Sequence, residues 1–230
     1  MVADQYSDKE EYYFHLERKE MVPFIPNDVQ TLLEVGCGSG SFASHLKALR
    51  KIVVTGIEPQ RSAFEQASTV LDTVLHLDVD SGITELKGQQ FDCIVFNDVL
   101  EHLVDPWDAL TKVRELLAPG GSVVASIPNI RYMPVLKEFV LRGNWRYQRD
   151  GVMDRTHLRF FTERSIAEMF DTSGYEISEC QGINGIQFPW KYSLLNRLTG
   201  RRLEDTQYQQ FACVAKSKGS RGITLKSGRV

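Results

Sequence analysis

Glu34-Val35-Gly36-Cys37-Gly38-Ser39-Gly40 closes one apolar run, Thr31–Cys37, and opens a segment of helical periodicity at Ser41. Three glycines in alternation let a backbone turn sharply and let a ligand approach with no Cβ in the way. A dinucleotide fingerprint requires G-x-G-x-x-G, yet the third position after Gly38 holds Ser41. The compressed spacing suits a small nucleoside better than a pyrophosphate. Taken alone, the loop is also what an ordinary strand-to-helix turn looks like.

Outward from the loop, apolar runs alternate with helical segments, the pattern of a parallel sheet covered by helices. The runs are Thr31–Cys37, Ile52–Glu58, Thr73–Val79, Phe91–Asn97, Gly121–Pro128, Tyr175–Glu179 and Gln210–Ala215. Most lack a polar alternate face, as strands buried on both sides do. Among the helices, Ser41–Arg50 sets Phe42, Leu46 and Leu49 in one stripe. Asp105-Pro106 starts another, with Trp107, Leu110, Val113 and Leu117 facing inward and Pro119-Gly120-Gly121 as its stop. Thr162 caps a third, which carries Ile166, Met169 and Phe170 and ends at Gly174. Ser7 and Glu10 fit a capping box, so a short helix to about Lys19 is expected. That helix, with Tyr12, Tyr13, Phe14 and His15, makes residues 1–30 either a lid or an ordinary packed helix. Residues 31–215 form the main domain, and 129–161 interrupt its alternation at the edge where such folds contact substrate.

The 230 residues are 42% hydrophobic and 25% charged, enough for a core without disulfides and too apolar for a disordered chain. No run approaches the ~18 apolar residues of a membrane span. The acidic start, MVADQYSDKEEY, has the wrong charge for a signal peptide. Cys37, Cys93, Cys180 and Cys213 lack CxxC spacing and read as buried reduced thiols. A cytoplasmic protein is expected. The net charge of −3 argues against a nucleic-acid partner. Residues 216–230 hold five basic side chains and no acid, and are expected to be disordered. No His, Cys, Asp or Glu group shows metal-ligand spacing along the chain, so no metal is expected.

Two acids follow the loop at regular intervals. Glu58, in Gly56-Ile57-Glu58-Pro59, is placed to accept both hydroxyls of a ribose, or is a solvated strand-end charge. Asp78, in Leu77-Asp78-Val79, suits an exocyclic amine, or simply makes a turn. The fourth run continues as Asn97-Asp98-Val99-Leu100-Glu101-His102. ExGCGxG, an acid after the second strand, FDxIxxxxVLEH and LxPGG in this order resemble the class I S-adenosylmethionine-dependent methyltransferases. The resemblance is to the ubiquinone-methyltransferase-like branch that includes methylases of surface saccharides. It is close over about residues 31–128 and looser, through Thr156-His157-Leu158-Arg159-Phe160-Phe161-Thr162, to about 215.

The resemblance implies a Rossmann-like three-layer α/β sandwich, with a seven-stranded, mostly parallel sheet of order 3-2-1-4-5-7-6 and strand seven antiparallel. It implies that Glu34, Gly36, Gly38 and Gly40 line the methionine part of S-adenosylmethionine. Glu58 and Pro59 would hold the ribose, and Asp78 and Val79 would flank the adenine. Asn97 would close over the amino-acid end, with Leu100 and His102 beside the sulfonium. The implied activity is O-methylation of a saccharide or glycoconjugate hydroxyl. Alternatives are a quinone, a phenolic or another small metabolite, or a cofactor-binding subunit without chemistry.

Transfer to an alcohol calls for a general base, and histidine is the usual one at neutral pH. Of five histidines, His45 and His76 lie within packed elements, while His102 and His157 follow strand ends or belong to the insertion. Asp154, in Asp154-Arg155-Thr156-His157, is a candidate base or an orienting partner, or part of a helix cap. The insertion is basic and aromatic, suited to an anionic or sugar-like acceptor or merely to solubility. Residues 188–203 are amphipathic and cationic. They fit a membrane surface, a dimer partner, or packing on the sheet.

Overall fold

The computed structural model describes residues 17–219, so the expected N-terminal helix from Ser7 and the last eleven residues of the basic tail lie outside the described part. The start of that tail is ordered, contrary to expectation, because Lys216 and Ser217 complete the last strand of the sheet. Seven strands form one sheet: β1 (Thr31–Val35), β2 (Val53–Ile57), β3 (Thr73–Leu75), β4 (Phe91–Asn97), β5 (Leu117–Pro128), β6 (Tyr175–Gly185) and β7 (Tyr208–Ser217). Their order is β3-β2-β1-β4-β5-β7-β6, as expected. The first five strands run parallel, and β7 is antiparallel to both neighbours.

The sheet is buried on both faces because its strands are apolar at successive positions, and successive side chains point to opposite sides. Leu33, Val35, Ile94 and Phe96 meet Leu110, Val113, Ile166 and Phe170 on one side. Leu32, Val54, Cys93 and Val95 meet Phe42, Leu46, Met21 and Ile25 on the other. These are the two outer layers of the expected sandwich. Tyr175 is buried in the first, and its hydroxyl donates to the Leu110 carbonyl at 2.8 Å.

The covering helices are α1 (Ser41–Leu49), α2 (Arg61–Ala67), α3 (Val79–Glu85), α4 (Pro106–Val113), α5 (Met133–Arg142), α6 (Glu163–Thr172) and α7 (Trp190–Leu198). The Asp105 and Thr162 caps form as expected, the latter as a capping box with Ser165. Several expectations need correction. Leu49 is 60% exposed, and the inner face of α1 is completed by Ala43. Helix α4 stops at Val113 and passes through a 3-10 turn, Arg114–Leu116. Pro119, Gly120 and Gly121 belong to β5, whose register with β4 shifts there. Trp107 is partly exposed, and Cys180 is only half-buried.

The described part of the N-terminal segment is a 3-10 helix, Lys19–Phe24, rather than the end of an α-helix. Met21, Phe24, Ile25 and Val29 are buried in the second core layer. This stretch is therefore part of the domain, not a separable lid. No helix among the described residues is long and apolar enough to cross a membrane.

Candidate active site

The glycine loop leaves β1 at the carboxyl edge of the sheet and is pinned there by backbone bonds. The Gly36 and Cys37 amides donate to the Ile57 carbonyl at 2.8 and 3.1 Å, tying the loop to β2. Gly36 has φ of +70°, and a Cβ there would lie 2.7 Å from Val99 Cγ2. Only glycine fits that position. Gly40, at φ +80°, is the N-cap of α1.

Behind the loop opens a cavity of about 740 Å³. Glu34, Gly36, Gly38, Glu58, Pro59, Asp78, Val79, Asn97 and His102 all border it, as the sequence led us to expect. Two expected residues do not. Leu100 is fully buried in the core, and Gly40 backs onto Val70 and Leu71. Residues not anticipated also line it, among them Arg18, Asp98 and Asp105.

The acids divide the cavity by role. Glu58 is buried, and its carboxylate accepts the Gly38 amide and the Gln60 amide, each at 2.8 Å. Burial raises its pKa, and those two bonds act against the rise. Each oxygen keeps a second lone pair for a ligand hydroxyl. Burial pushes the Glu34 carboxyl up to about 8, with the neighbouring Glu58 charge adding to the effect. Its Oε2 and both amide atoms of Asn97 make no close hydrogen bond, although the Asn97 amide stands near enough to pull the Glu34 pKa down against the rise. Both side chains border the cavity, so this wall offers polar atoms to a ligand. Asp78 caps α3 by accepting the Ser81 amide at 2.9 Å, so the turn reading holds while the residue also borders the cavity.

At the other end lie two imidazoles. His102 ends a 3-10 turn, Leu100–His102, and its Nδ1 sits 3.1 Å from the Thr156 carbonyl. His157 Nδ1 sits 3.1 Å from the Val152 carbonyl. A carbonyl only accepts, so each ring presents an N–H at Nδ1 to it, and His157 Nε2 lies 3.9 Å from Glu101 Oε1. The rings meet edge to face at 4.7 Å between centroids. The insertion is docked here because the Leu158 and Arg159 amides donate to the Glu101 carbonyl at 2.9 and 3.0 Å.

Asp154 does not border the cavity. Its Oδ1 accepts the Thr156 amide and hydroxyl at 2.9 and 2.8 Å. It thus shapes the turn that offers the Thr156 carbonyl to His102. Thr162 and Ser165 cap the following helix without it.

Sequence reading missed Glu101. Its carboxyl is buried, neither oxygen has a hydrogen-bond partner, and burial with the nearby Asp98 charge holds its pKa well above the usual range. One ligand atom each of Glu101, His102 and His157 lie within 4.8 Å of one another. This set has the donors a divalent cation accepts, although no spacing along the chain announced it.

Sequence reading also missed Arg18. Its guanidinium pairs with Asp98 and donates to Ser126 Oγ at 2.8 Å, and Gln210 Nε2 donates to Asp98 Oδ1 at 2.7 Å. Three basic side chains of the insertion engage other protein groups, and none of them borders the cavity. Arg131 pairs with Asp205, Arg142 with Glu138, and Arg159 donates to the Val104 carbonyl. A second cavity, of about 430 Å³, lies between α5 and the loop after it, bordered by Tyr132, Phe139, Arg142, Trp145, Arg146 and Asp150.

Comparison with known proteins agrees with this geometry. A family model described as a methyltransferase domain matches residues 8–179. A ubiquinone biosynthesis O-methyltransferase of Cereibacter sphaeroides is 27% identical over 181 residues, covering 75% of this chain and 71% of that protein. One from Vibrio atlanticus is 30% identical over 165 residues, covering 68% and 66%. Among solved structures, a S-adenosylmethionine-dependent methyltransferase of Thermotoga maritima, titled a possible histamine N-methyltransferase, superposes with a TM-score of 0.64 at 17% identity. It covers 95% of this chain and 100% of that one. The plantazolicin methyltransferase, solved with S-adenosylhomocysteine, gives 0.62 at 14% identity over 94% of each chain. The polar side chains of Asn97 and Glu34 and the bare Gly36 backbone on the cavity wall suit the same cofactor. The chain belongs to the methyltransferase-domain family and is an S-adenosylmethionine-dependent methyltransferase.

Proposed function

We propose that the enzyme O-methylates a hydroxyl of a saccharide or glycoconjugate, with the His102–His157 pair receiving the hydroxyl proton. The observation that carries this reading is the pair itself. Both rings are held at Nδ1 by backbone carbonyls, they meet edge to face, and His102 borders the cofactor cavity.

When bound, S-adenosylmethionine supplies a methyl group on a sulfonium that is already electrophilic, so the difficult chemistry belongs to the cofactor. Glu58 and Gly38 orient the ribose end, and Glu34 with Asn97 takes the amino-acid end. What remains for the chain is to hold the acceptor oxygen in line and remove its proton. His102, which borders the cavity, would receive the proton that the acceptor hydroxyl gives up on methylation. Asp154, through Thr156, keeps the His102 ring in register.

A saccharide is supported by the second cavity, which shares Val152 with the surroundings of His157. His157 Nδ1 bonds to Val152, which borders that cavity, and its ring lies 6.3 Å from Phe160. Aromatic rings beside Arg146 and Asp150 are the surface on which a sugar stacks and hydrogen-bonds. A second reading, methylation of a quinone or phenol, is favoured by the names of the relatives at 25–30% identity. Methyl transfer from labelled cofactor to a panel of saccharides and phenols separates them. Turnover on sugars alone supports the first reading, and turnover on phenols alone replaces it with the second.

A further inference from the structure

Helix α7 is inside out. Its buried residue is Asn196, 7% exposed, while Trp190, Leu194, Leu195 and Leu198 are 72%, 53%, 46% and 76% exposed. Asn196 is turned inward to organise the following turn. Its Nδ2 donates to Glu204 at 3.0 Å, its Oδ1 accepts the Leu203 amide at 3.0 Å, and its carbonyl accepts the Arg201 amide at 2.7 Å. At about 100° per residue, Trp190, Leu194 and Leu198 spread over an arc of about 80° and form one apolar stripe, with Leu195 at its border. Packing on the sheet, one expectation from the sequence, does not account for this face.

Charge indicates what covers it. From Phe188 to Leu203 the chain carries Lys191, Arg197, Arg201 and Arg202 and no carboxylate, within a protein of net charge −3. Lys191 reaches over the Trp190 ring at 5.7 Å, at the border of the apolar stripe. Apolar side chains flanked by bases, with a tryptophan at the helix start, match the boundary between anionic headgroups and acyl chains. A second copy fits less well. Nine residues make a helix about 14 Å long and about 10 Å wide, far short of the ~800 Å² each partner commits to a stable interface.

We infer that α7 docks the enzyme onto an anionic lipid bilayer, burying Trp190, Leu194 and Leu198 below the headgroups. The excursion leaves the sheet where Gly185 pairs with Tyr208, and Gln210 pairs with Pro128 at the end of β5. Asn129 Nδ2 donates to the Asp205 and Tyr208 carbonyls and anchors it there. Helix α7 therefore projects from the carboxyl edge of the sheet, the edge on which the cofactor cavity opens. This inference stands apart from the identity of the acceptor.

The test is co-sedimentation of the full chain with vesicles of phosphatidylcholine, alone or mixed with phosphatidylglycerol. The wild type should partition about tenfold or more in favour of the mixed vesicles, and salt should weaken the binding. Combined Trp190→Glu and Leu198→Glu should abolish vesicle binding, and combined Lys191→Glu and Arg197→Glu should remove the preference for anionic lipid. Unchanged affinity for S-adenosylhomocysteine certifies that both variants fold. Failure of the wild type to bind mixed vesicles overturns the inference. So does binding that survives the Trp190/Leu198 change, which would place it elsewhere, for instance in the basic tail. Concentration-dependent dimers lost in that variant, without vesicle binding by the wild type, would assign the face to a second copy.

Discussion

Arg18 and Asp98 stand eighty positions apart, and both hold left-handed backbones, with φ of +47° and +55°. Their side chains meet as a largely buried ion pair at the rim of the cofactor cavity. Non-glycine residues in that region persist only where their surroundings over-determine them. Here Ser126 and Gln210 share the task, because both bond to the pair. The arrangement joins the segment before β1 to the end of β4 across the mouth of the site.

Removing one partner should therefore cost more than removing both. Arg18→Met leaves Asp98 as an uncompensated charge and should destabilise the protein by about 3 kcal/mol. Adding Asp98→Asn should recover part of that loss. Urea denaturation of the two single variants and the double variant measures the coupling, and simple additivity would contradict it.

Gly36→Ala should damage cofactor binding and stability together. The added methyl meets Val99 Cγ2 at 2.7 Å and sits at a φ of +70°. A loss of about 1–3 kcal/mol is expected from strain. The further change Val99→Ala should relieve the clash but not the backbone strain, so recovery of affinity for S-adenosylhomocysteine should be partial.

The Glu34 carboxyl makes stability depend on pH. Its pKa in the folded chain is about 8, against an ordinary 4.5. Between those values the folded chain keeps a proton that the unfolded chain releases. The Glu34 contribution to the stability of the cofactor-free enzyme is therefore fully present below 4.5 and is lost as pH rises towards 8. Glu34→Gln should flatten that part of the profile. Thermal melts across the range test this, and an unchanged slope in the variant would refute it.

His157→Ala should slow methyl transfer by about a hundredfold or more while leaving affinity for S-adenosylhomocysteine nearly intact, because His157 does not border the cofactor cavity. His102→Ala should slow transfer and also weaken cofactor binding. Single-turnover rates beside titrations separate the two effects. Asp154→Asn should act through His102, shifting the pH profile of the rate more than it changes acceptor KM.

Much of the sheet was readable because its strands are unbroken apolar runs between helix caps. Strand β4 spans Phe91–Asn97 in sequence and structure alike. Strand β3 is shorter than its apolar run, ending at Leu75, because Asp78 leaves to cap α3. Strand β6 runs on to Gly185 at the edge of the sheet, where polar residues face solvent and blur the pattern. The glycine loop and Glu58 were legible because each has a demand of its own, bare backbone or a strand-end acid. Arg18, Asp98 and Glu101 were not, since their roles arise only when distant segments meet. Tyr132, Val135, Leu136, Phe139 and Val140 have helical spacing and Gly143 stops it, and α5 forms there, yet it leaves Phe139, Val140 and Leu141 exposed. Periodicity shows that a face is apolar without naming what covers it.

Calorimetric titration of the wild type and of Glu58→Ala and Gly38→Arg with S-adenosylhomocysteine tests the cofactor site most directly. One saturable site in the wild type, weakened in Glu58→Ala and absent in Gly38→Arg, is the predicted result. Equal binding by all three proteins, or none by the wild type, would contradict the placement of the cofactor against the glycine loop.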